Sequence, residues 1–307
     1  MDGLILVGKP PNVTSHSIVL QIRNILGIRR VGHYGTLDPM ATGLLVVAVG
    51  KATRLFPFFS KTDKAYKGQI RLGYSTDTYD SQGQPTSQEA EVLPSEKSLI
   101  QAMKSYEGEI TQIPPPFSAK KYKGKPLYAL ARQKKEFELK PQMVVIHSFR
   151  LSSYKPPFIH FTVHCSSGTY VRSLAHGLGQ KLGCGAHLSQ LIRTKVGDFS
   201  LSQAFSLEEI EEHIREGRTE QILIPLEVVL PEFPKVVLKE EGAVLAKRGQ
   251  FVYPEDIVNI FSQEIGVSDL SENKEIIFKL FSLEGKLLAF GRKIPDKNGI
   301  HPFLVLD

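Results

Sequence analysis

Hydrophobic residues in this chain fall into short runs and alternating stretches, not one sustained period. The segment 3–8 reads as a short buried strand that turns at Pro10-Pro11-Asn12. Ile18, Ile22, Ile25 and Leu26 then recur on one face of a helix, with Thr14 or Ser15 as its N-cap and Gly27 as its stop. Residues 28–43, rich in glycine and holding Pro39, read as a loop, and 44–50 as a second buried strand. Ala65–Gly73 has strand character and runs into a polar loop, Ser75–Gln84.

The clearest alternation is Ile159–Cys165. There Ile159, Phe161, Val163 and Cys165 share one face, and His160, Thr162 and His164 the other. After the turn Ser166-Ser167-Gly168, the residues Val171, Leu174, Ala175, Leu178 and Leu182 stand at helical spacing. Ser206 and Glu209 form a capping box that opens an acidic helix with Gly217 as its C-cap. Two prolines in Leu230–Pro234 mark a domain boundary, which gives a domain of residues 1–232 and a β-rich module of residues 233–307 whose strands are Ile276–Phe281 and Lys286–Ile294. Helices and strands mix without regular βα alternation, so the pattern predicts α+β.

Composition narrows the class. With 307 residues, 41% hydrophobic and 23% charged, the chain is neither disordered nor fibrous, and a prior of about 150 residues per domain agrees with two domains. The two cysteines, Cys165 and Cys184, make neither a disulfide framework nor a thiolate cage, which fits a reducing compartment. Met1-Asp2 is acidic where a signal peptide is basic, and the longest strongly apolar run, Leu44–Val49, is far below a membrane span. These features predict a cytoplasmic protein with no membrane partner.

The net charge of +6 is uneven. Residues 1–233 hold 28 basic and 21 acidic residues, and residues 234–307 hold 10 and 11. The densest basic stretch, 120–140, interleaves Lys120, Lys121, Lys123, Lys125, Arg132, Lys134, Lys135 and Lys140 with Tyr122 and Tyr128, just after Phe117. Charge alone is equally a solvated surface, but rings among lysines suit looped or single-stranded nucleic acid. Other motifs fail. Gly50-Lys51 lacks the spacing of a phosphate loop, and Gly177–Gly183 lies in a helical pattern and misses dinucleotide spacing. The histidines show no HExxH pattern, so no metal is expected.

The stretch that carries chemistry is Gly32-His33-Tyr34-Gly35-Thr36-Leu37-Asp38-Pro39-Met40-Ala41-Thr42-Gly43. Pro39 biases Asp38 toward extended backbone, which could project its carboxylate from the loop. From spacing alone a turn-capping aspartate is the preferred reading, ahead of a catalytic one.

The same stretch resembles the GHxGTLDPxATGLL signature of TruB-family pseudouridine synthases. Gly3-Leu4 through Lys9-Pro10 with Thr14-Ser15 is similar to that family's opening motif, and Lys64-Ala65-Tyr66 with Leu72-Gly73 to its KxYxxxxxLG element. Thr76–Asp80 with Gly83, Gln112–Arg132, Cys165–Arg172 and Gly183–Thr194 resemble further family motifs in the family's order, covering most of residues 1–200. The chain beyond residue 232 matches only loosely, as a PUA-like RNA-binding module.

The resemblance implies a pseudouridine synthase fold, with a mixed, largely antiparallel central sheet flanked by helices. It implies isomerisation of uridine to pseudouridine at position 55 in the T loop of tRNA, by base flipping and an aspartate carboxylate. Asp38 would be that carboxylate, Arg172 its ion-pair partner, and Tyr66 the ring beneath the uracil. Tyr170 would contact the flipped nucleotide, Leu191 would wall the pocket, His33 would hold the opened loop, and Lys9 would support the site from behind. No cofactor and no obligatory protein partner are implied; the partner is the tRNA T stem-loop. An RNA-folding chaperone and an isomerase for another RNA are the competing functions. Three positions depart from the family pattern: Asn12 for glycine, Gly177 for aspartate and Ile192 for the first arginine of LRRT.

Overall fold

The computed structural model describes residues 1–117, 121–122, 125–126, 139–261, 276–294 and 297–306, the pairs 121–122 and 125–126 by backbone alone. The basic stretch 120–140, apart from residues 139–140 and those two backbone pairs, lies outside the described residues.

In chain order the strands are β1 (Gly3–Lys9), β2 (Val31–Tyr34), β3 (Thr42–Val49), β4 (Lys64–Leu72), β5 (Gly108–Gln112), β6 (Lys121–Tyr122), β7 (Lys125–Pro126), β8 (Gln142–Lys155), β9 (Phe158–Cys165), β10 (Ala186–Val196), β11 (Phe199–Ser200) and β12 (Ile224–Pro225). They continue as β13 (Lys235–Leu238), β14 (Ile257–Phe261), β15 (Ile277–Phe281), β16 (Leu287–Ile294) and β17 (Gly299–Val305). The α-helices are α1 (Ser15–Leu26), α2 (Phe56–Phe59), α3 (Glu96–Lys104), α4 (Val171–Lys181), α5 (Leu207–Arg215) and α6 (Glu240–Lys247).

Local signals account for the helix ends. The Thr14 hydroxyl accepts from the Ser17 amide at 3.0 Å and satisfies one donor of α1, while Gly27 closes it at φ +66°. Ser206 and Glu209 complete their reciprocal capping box at 3.2 and 2.7 Å. Helix α5 ends at Arg215 with Glu216 as its C-cap, one residue before the predicted cap; Gly217 follows at φ +72°.

Contacts divide the chain into two units. The larger comprises Ile5–Val49 and Leu55–Ile222; the smaller comprises Leu223–Asp307 with Met1–Leu4 and Gly50–Arg54. Within the smaller unit β12 pairs with the start of β1, and a five-stranded sheet runs β14-β13-β15-β16-β17. Its core is Val236, Leu238, Phe278, Leu280, Ala289 and Ile300.

The larger unit is organised by a sheet in the order β1-β3-β10-β4-β9-β8-β5, with β2 added on β3. β10 runs parallel to β3 and antiparallel to β4, and the β4–β9–β8–β5 ladder is antiparallel throughout. This is the mixed, mainly antiparallel α+β sheet expected from the sequence. The inward residues of β9 (Ile159, Phe161, Val163 and Cys165) pack with Leu174, Ala175 and Leu178 of α4 and Leu99 and Met103 of α3.

Residues 28–43 are not a continuous loop. Val31–Tyr34 forms β2, pairing antiparallel with β3 from Val31↔Val49 to Tyr34↔Val46. Four residues interrupted by Gly32 carry too little alternation to announce a strand; the ladder with the apolar β3 supplies the stabilisation. The polar segment Ser75–Gln84 is a loop as expected, but it buries Ser75, Thr76 and Asp80. Asp80 bridges to Leu188, and the Thr76 hydroxyl donates to the Asp80 carbonyl at 2.7 Å.

Gly43 fixes the meeting of β3 and β10. A Cβ there would lie 2.4 Å from the Arg193 carbonyl oxygen, and its φ of +104° suits glycine alone. Among the described residues no helix is long and apolar enough to cross a membrane.

Candidate active site

The turn between β2 and β3 carries Asp38, and the first turn of α4 carries Arg172. The Arg172 Nη2 donates to Asp38 Oδ1 at 3.0 Å, and Nε lies 2.9 Å from Oδ2. Nη1 donates to Asp80 Oδ2 and to the Thr78 carbonyl, both at 3.2 Å, and Nη2 also reaches the Phe117 carbonyl at 2.9 Å. Arg172 is 5% exposed and Asp80 6%, whereas a third of the Asp38 side chain remains open. One guanidinium is thus held between two carboxylates, and only one of them faces outward.

That opening is a cavity of about 270 Å³, lined by Asp38, Tyr66, Tyr170, Arg172 and Leu191 together with Lys64 and Arg193. Five of the residues singled out from the sequence therefore converge on one space. Tyr66 projects from β4 and Leu191 from β10, both buried. Tyr170 is the N-cap residue of α4, and Gln112 holds its backbone at both ends: the Tyr170 amide donates to Oε1 at 2.7 Å and Nε2 donates to the Tyr170 carbonyl at 3.1 Å.

Lys9 does not line the cavity. Its ammonium donates to the carbonyls of Pro10, Val13 and Pro39 at 2.8, 2.8 and 3.2 Å, tying the first turn to the loop behind Asp38. His33 does not line it either. It stands on β2, half-buried, with an Nδ1 that has no hydrogen-bond partner among the described residues.

Electrostatics in the cavity follow from burial. Desolvation raises the Asp38 pKa above its usual value; Arg172 pulls it back, and Asp80 pushes it up again. Burial also raises the Tyr66 phenol, against the pull of Arg193, so Tyr66 keeps its proton at neutral pH. Burial lowers Lys9 to about 8, with Asp38 opposing the shift. His33 is lowered by burial and by Arg193, which favours its neutral form.

Sequence reasoning placed Lys64, Arg193 and Asp80 within family motifs but gave none of them a role. Arg193 is 1% exposed, and its guanidinium donates to the carbonyls of Leu44, Gly35 and Thr36 at 2.8, 2.9 and 3.4 Å. Strand parity held the signal: Leu191 and Arg193 are two apart and share a face, as do Lys64 and Tyr66. The departures from the family pattern also find places. Asn12 sits at φ +61°, a conformation asparagine tolerates. Ile192 is on the outer face, 38% exposed. A Cβ on Gly177 would lie 2.8 Å from the Tyr106 hydroxyl.

The fold and the site define a pseudouridine synthase. The fold is similar to that of a chain in the structure of an H/ACA RNP bound to a substrate RNA containing 2′-deoxyuridine, with TM-score 0.72, 25% identity and coverage of 99% of this chain and 85% of that one. A Cbf5-Nop10-Gar1 complex gives the same score and identity, covering 99% and 84%. Residues 23–171 match the model of the TruB family pseudouridylate synthase N-terminal domain, and residues 172–231 that of the tRNA pseudouridylate synthase B C-terminal domain. The tRNA pseudouridine synthase B of Solibacter usitatus is 43% identical over 250 residues, 81% of this chain and 85% of that protein. Its counterpart in Syntrophotalea carbinolica is 44% identical over 242 residues, 79% of each chain. The chain belongs to the TruB family of pseudouridylate synthases, and it is an isomerase.

Proposed function

We propose that the protein converts uridine to pseudouridine at position 55 in the T loop of tRNA, with the target nucleotide turned out of its stack into the cavity beside Asp38. The observation that carries this reading is the buried Arg172–Asp38 pair, which presents one carboxylate to a cavity holding Tyr66, Tyr170 and Leu191. Extruding a base costs a few kcal/mol, least in a loop where it is already unpaired. The excess positive charge of residues 1–233 supports phosphate binding at that domain, while residues 233–307 would form a PUA-like RNA-binding module.

In the reaction the N1–C1′ bond breaks and a C5–C1′ bond forms, while C5 loses a proton and N1 gains one. The change is redox-neutral and needs no group donor. Asp38 serves any of three openings: attack at C1′, attack at C6, or removal of the C2′ proton. Each starts from the anion, which Arg172 maintains against desolvation and orients through two of its nitrogens. Tyr66 stacks on the uracil and holds a phenolic proton beside it. Tyr170 and Leu191 bound the nucleotide, His33 holds the opened loop, and Lys9 stiffens the turn behind Asp38. Two buried free cysteines suit a reducing cytoplasm.

Nucleoside analysis of tRNA treated with Asp38→Asn tests the assignment. Pseudouridine formation should fall by about 10³-fold or more while tRNA binding persists. Normal turnover by this variant removes Asp38 from the chemistry, and wild-type modification confined to other RNAs removes the T loop from the substrate.

A further inference from the structure

The start of β4, the end of β9 and an inner stretch of β8 meet in the larger unit's sheet, and Asp63, His147 and His164, which gather there, do not line the cavity. In the β4–β9 ladder Lys64 lies opposite Cys165 and Ala65 opposite His164, and Asp63 immediately precedes β4. His164 belongs to the outward face of β9, away from the buried Cys165. In the β8–β9 ladder Ile146 pairs with Cys165 and Ser148 with His164, so the register shifts across His147. His147 is therefore the extra residue of a β-bulge, a device that re-aims a side chain. It points toward the same carboxylate as His164.

The result is a convergence of donors. His147 Nε2 lies 2.8 Å from Asp63 Oδ2, and His164 Nε2 lies 4.0 Å from the same oxygen. The imidazole rings are 4.6 Å apart at 39°, and the ligand atoms of all three residues fall within 4.8 Å of one another. Tetrahedral bonds of about 2.0–2.1 Å place ligand atoms about 3.3 Å apart, between the two observed separations. A cation would lengthen the first contact and shorten the second, with no movement of the strands. The pairing of His164 with Ala65 and Ser148 sets its Nε2 4.0 Å from that oxygen, near enough for a cation to bridge the two. The side chains are 37–50% exposed, leaving an open side for water or a further ligand.

We propose that Asp63, His147 and His164 bind a divalent transition-metal cation of the zinc class. Two imidazole nitrogens and one carboxylate oxygen suit zinc, whereas magnesium and calcium prefer oxygen donors throughout. Local spacing carries no trace of this site, because the ligands come from β8, from β9 and from the residue before β4, and only the sheet register gathers them. The expectation of no metal rested on such spacing.

Titration of the full chain with zinc ion alone, followed by calorimetry and by thermal unfolding, tests the proposal. Binding should be one-to-one, should raise the unfolding midpoint, and should survive millimolar magnesium. Loss of an outer partner of a metal ligand already costs about 10–100-fold in affinity. Asp63→Asn and His164→Ala should therefore each weaken zinc at least about 10-fold and abolish the rise in midpoint. His160→Ala, on the same outward face of β9, should leave both unchanged. Absence of one-to-one binding, equal affinity in the Asp63 and His164 variants, or displacement by magnesium would overturn it. A change in the unliganded midpoint of either variant is read separately and does not substitute for the affinity.

Discussion

Two buried arginines line the same cavity and are compensated in opposite ways. Arg172 meets two carboxylates, Asp38 and Asp80, and its charge is spent on holding them. Arg193 meets three backbone carbonyls, from Leu44, Gly35 and Thr36, and the Tyr66 hydroxyl, none of which carries a compensating charge. A guanidinium between carboxylates fixes geometry and keeps an anion ionised. A guanidinium among carbonyls keeps a positive field directed at its neighbours, and that field opposes the effect of burial on the Tyr66 phenol. One wall of the cavity thus holds a carboxylate in a fixed orientation, and the other tempers the rise that burial gives the Tyr66 pKa, which still ends above its ordinary value.

Breaking each wall should separate the two cases. Arg172→Met leaves Asp80 buried without its cation and brings two carboxylates into unshielded repulsion. Breaking a buried pair from one side costs about 3–5 kcal/mol, and the one-third exposure of Asp38 favours the lower end. Urea unfolding measures this, and a loss under about 1 kcal/mol would show that Arg172 is not the keystone of the loop. Arg193→Met should cost less. It strands carbonyls but no charge, and unsatisfied buried acceptors cost about 1–3 kcal/mol. The same unfolding experiment tests it; a larger loss than for Arg172→Met would reverse the comparison.

The smallest effect sharpens the electrostatics. On the proposed role of Asp38 as an anion, its raised folded-state pKa makes activity fall as pH drops through a value above the ordinary aspartate one. Stability has the opposite sign: the folded state takes up this proton more readily than the unfolded one, so Asp38 costs stability above its unfolded pKa and that cost is relieved as pH falls. Asp80 contributes to the upward shift. Asp80→Asn should move the acid limb of the kcat/KM profile to lower pH, and an unmoved limb would mean that Asp80 acts only through Arg172.

Legibility followed the range of the forces. The first helix was readable because its signals are local: Thr14 caps it, Gly27 stops it and Ile18 and Ile22 fill one face. β9 was readable from strict alternation, and the Asp38 loop from its resemblance to a family signature. β2 was not readable, since four residues containing a glycine become a strand only against β3. Asp80 was hidden because a run of Ser, Thr and Asp looks solvated until Arg172 and the Leu188 bridge bury it. Arg193 was hidden because a cation in a strand reads as surface until the carbonyls of another segment surround it.

The amino-acid order by itself determined the caps of α1 and α5, the apolar face of β9, and that an aspartate sits before a proline between glycines. These are interactions between residues a few positions apart. The tertiary structure alone decided that Asp80 joins the Asp38–Arg172 pair, that Lys64 and Arg193 join the cavity, and that Asp63, His147 and His164 share one corner. Coulomb energy and desolvation depend on distance in space and on the loss of water, and neither exists for these groups until the sheet register has brought the strands together.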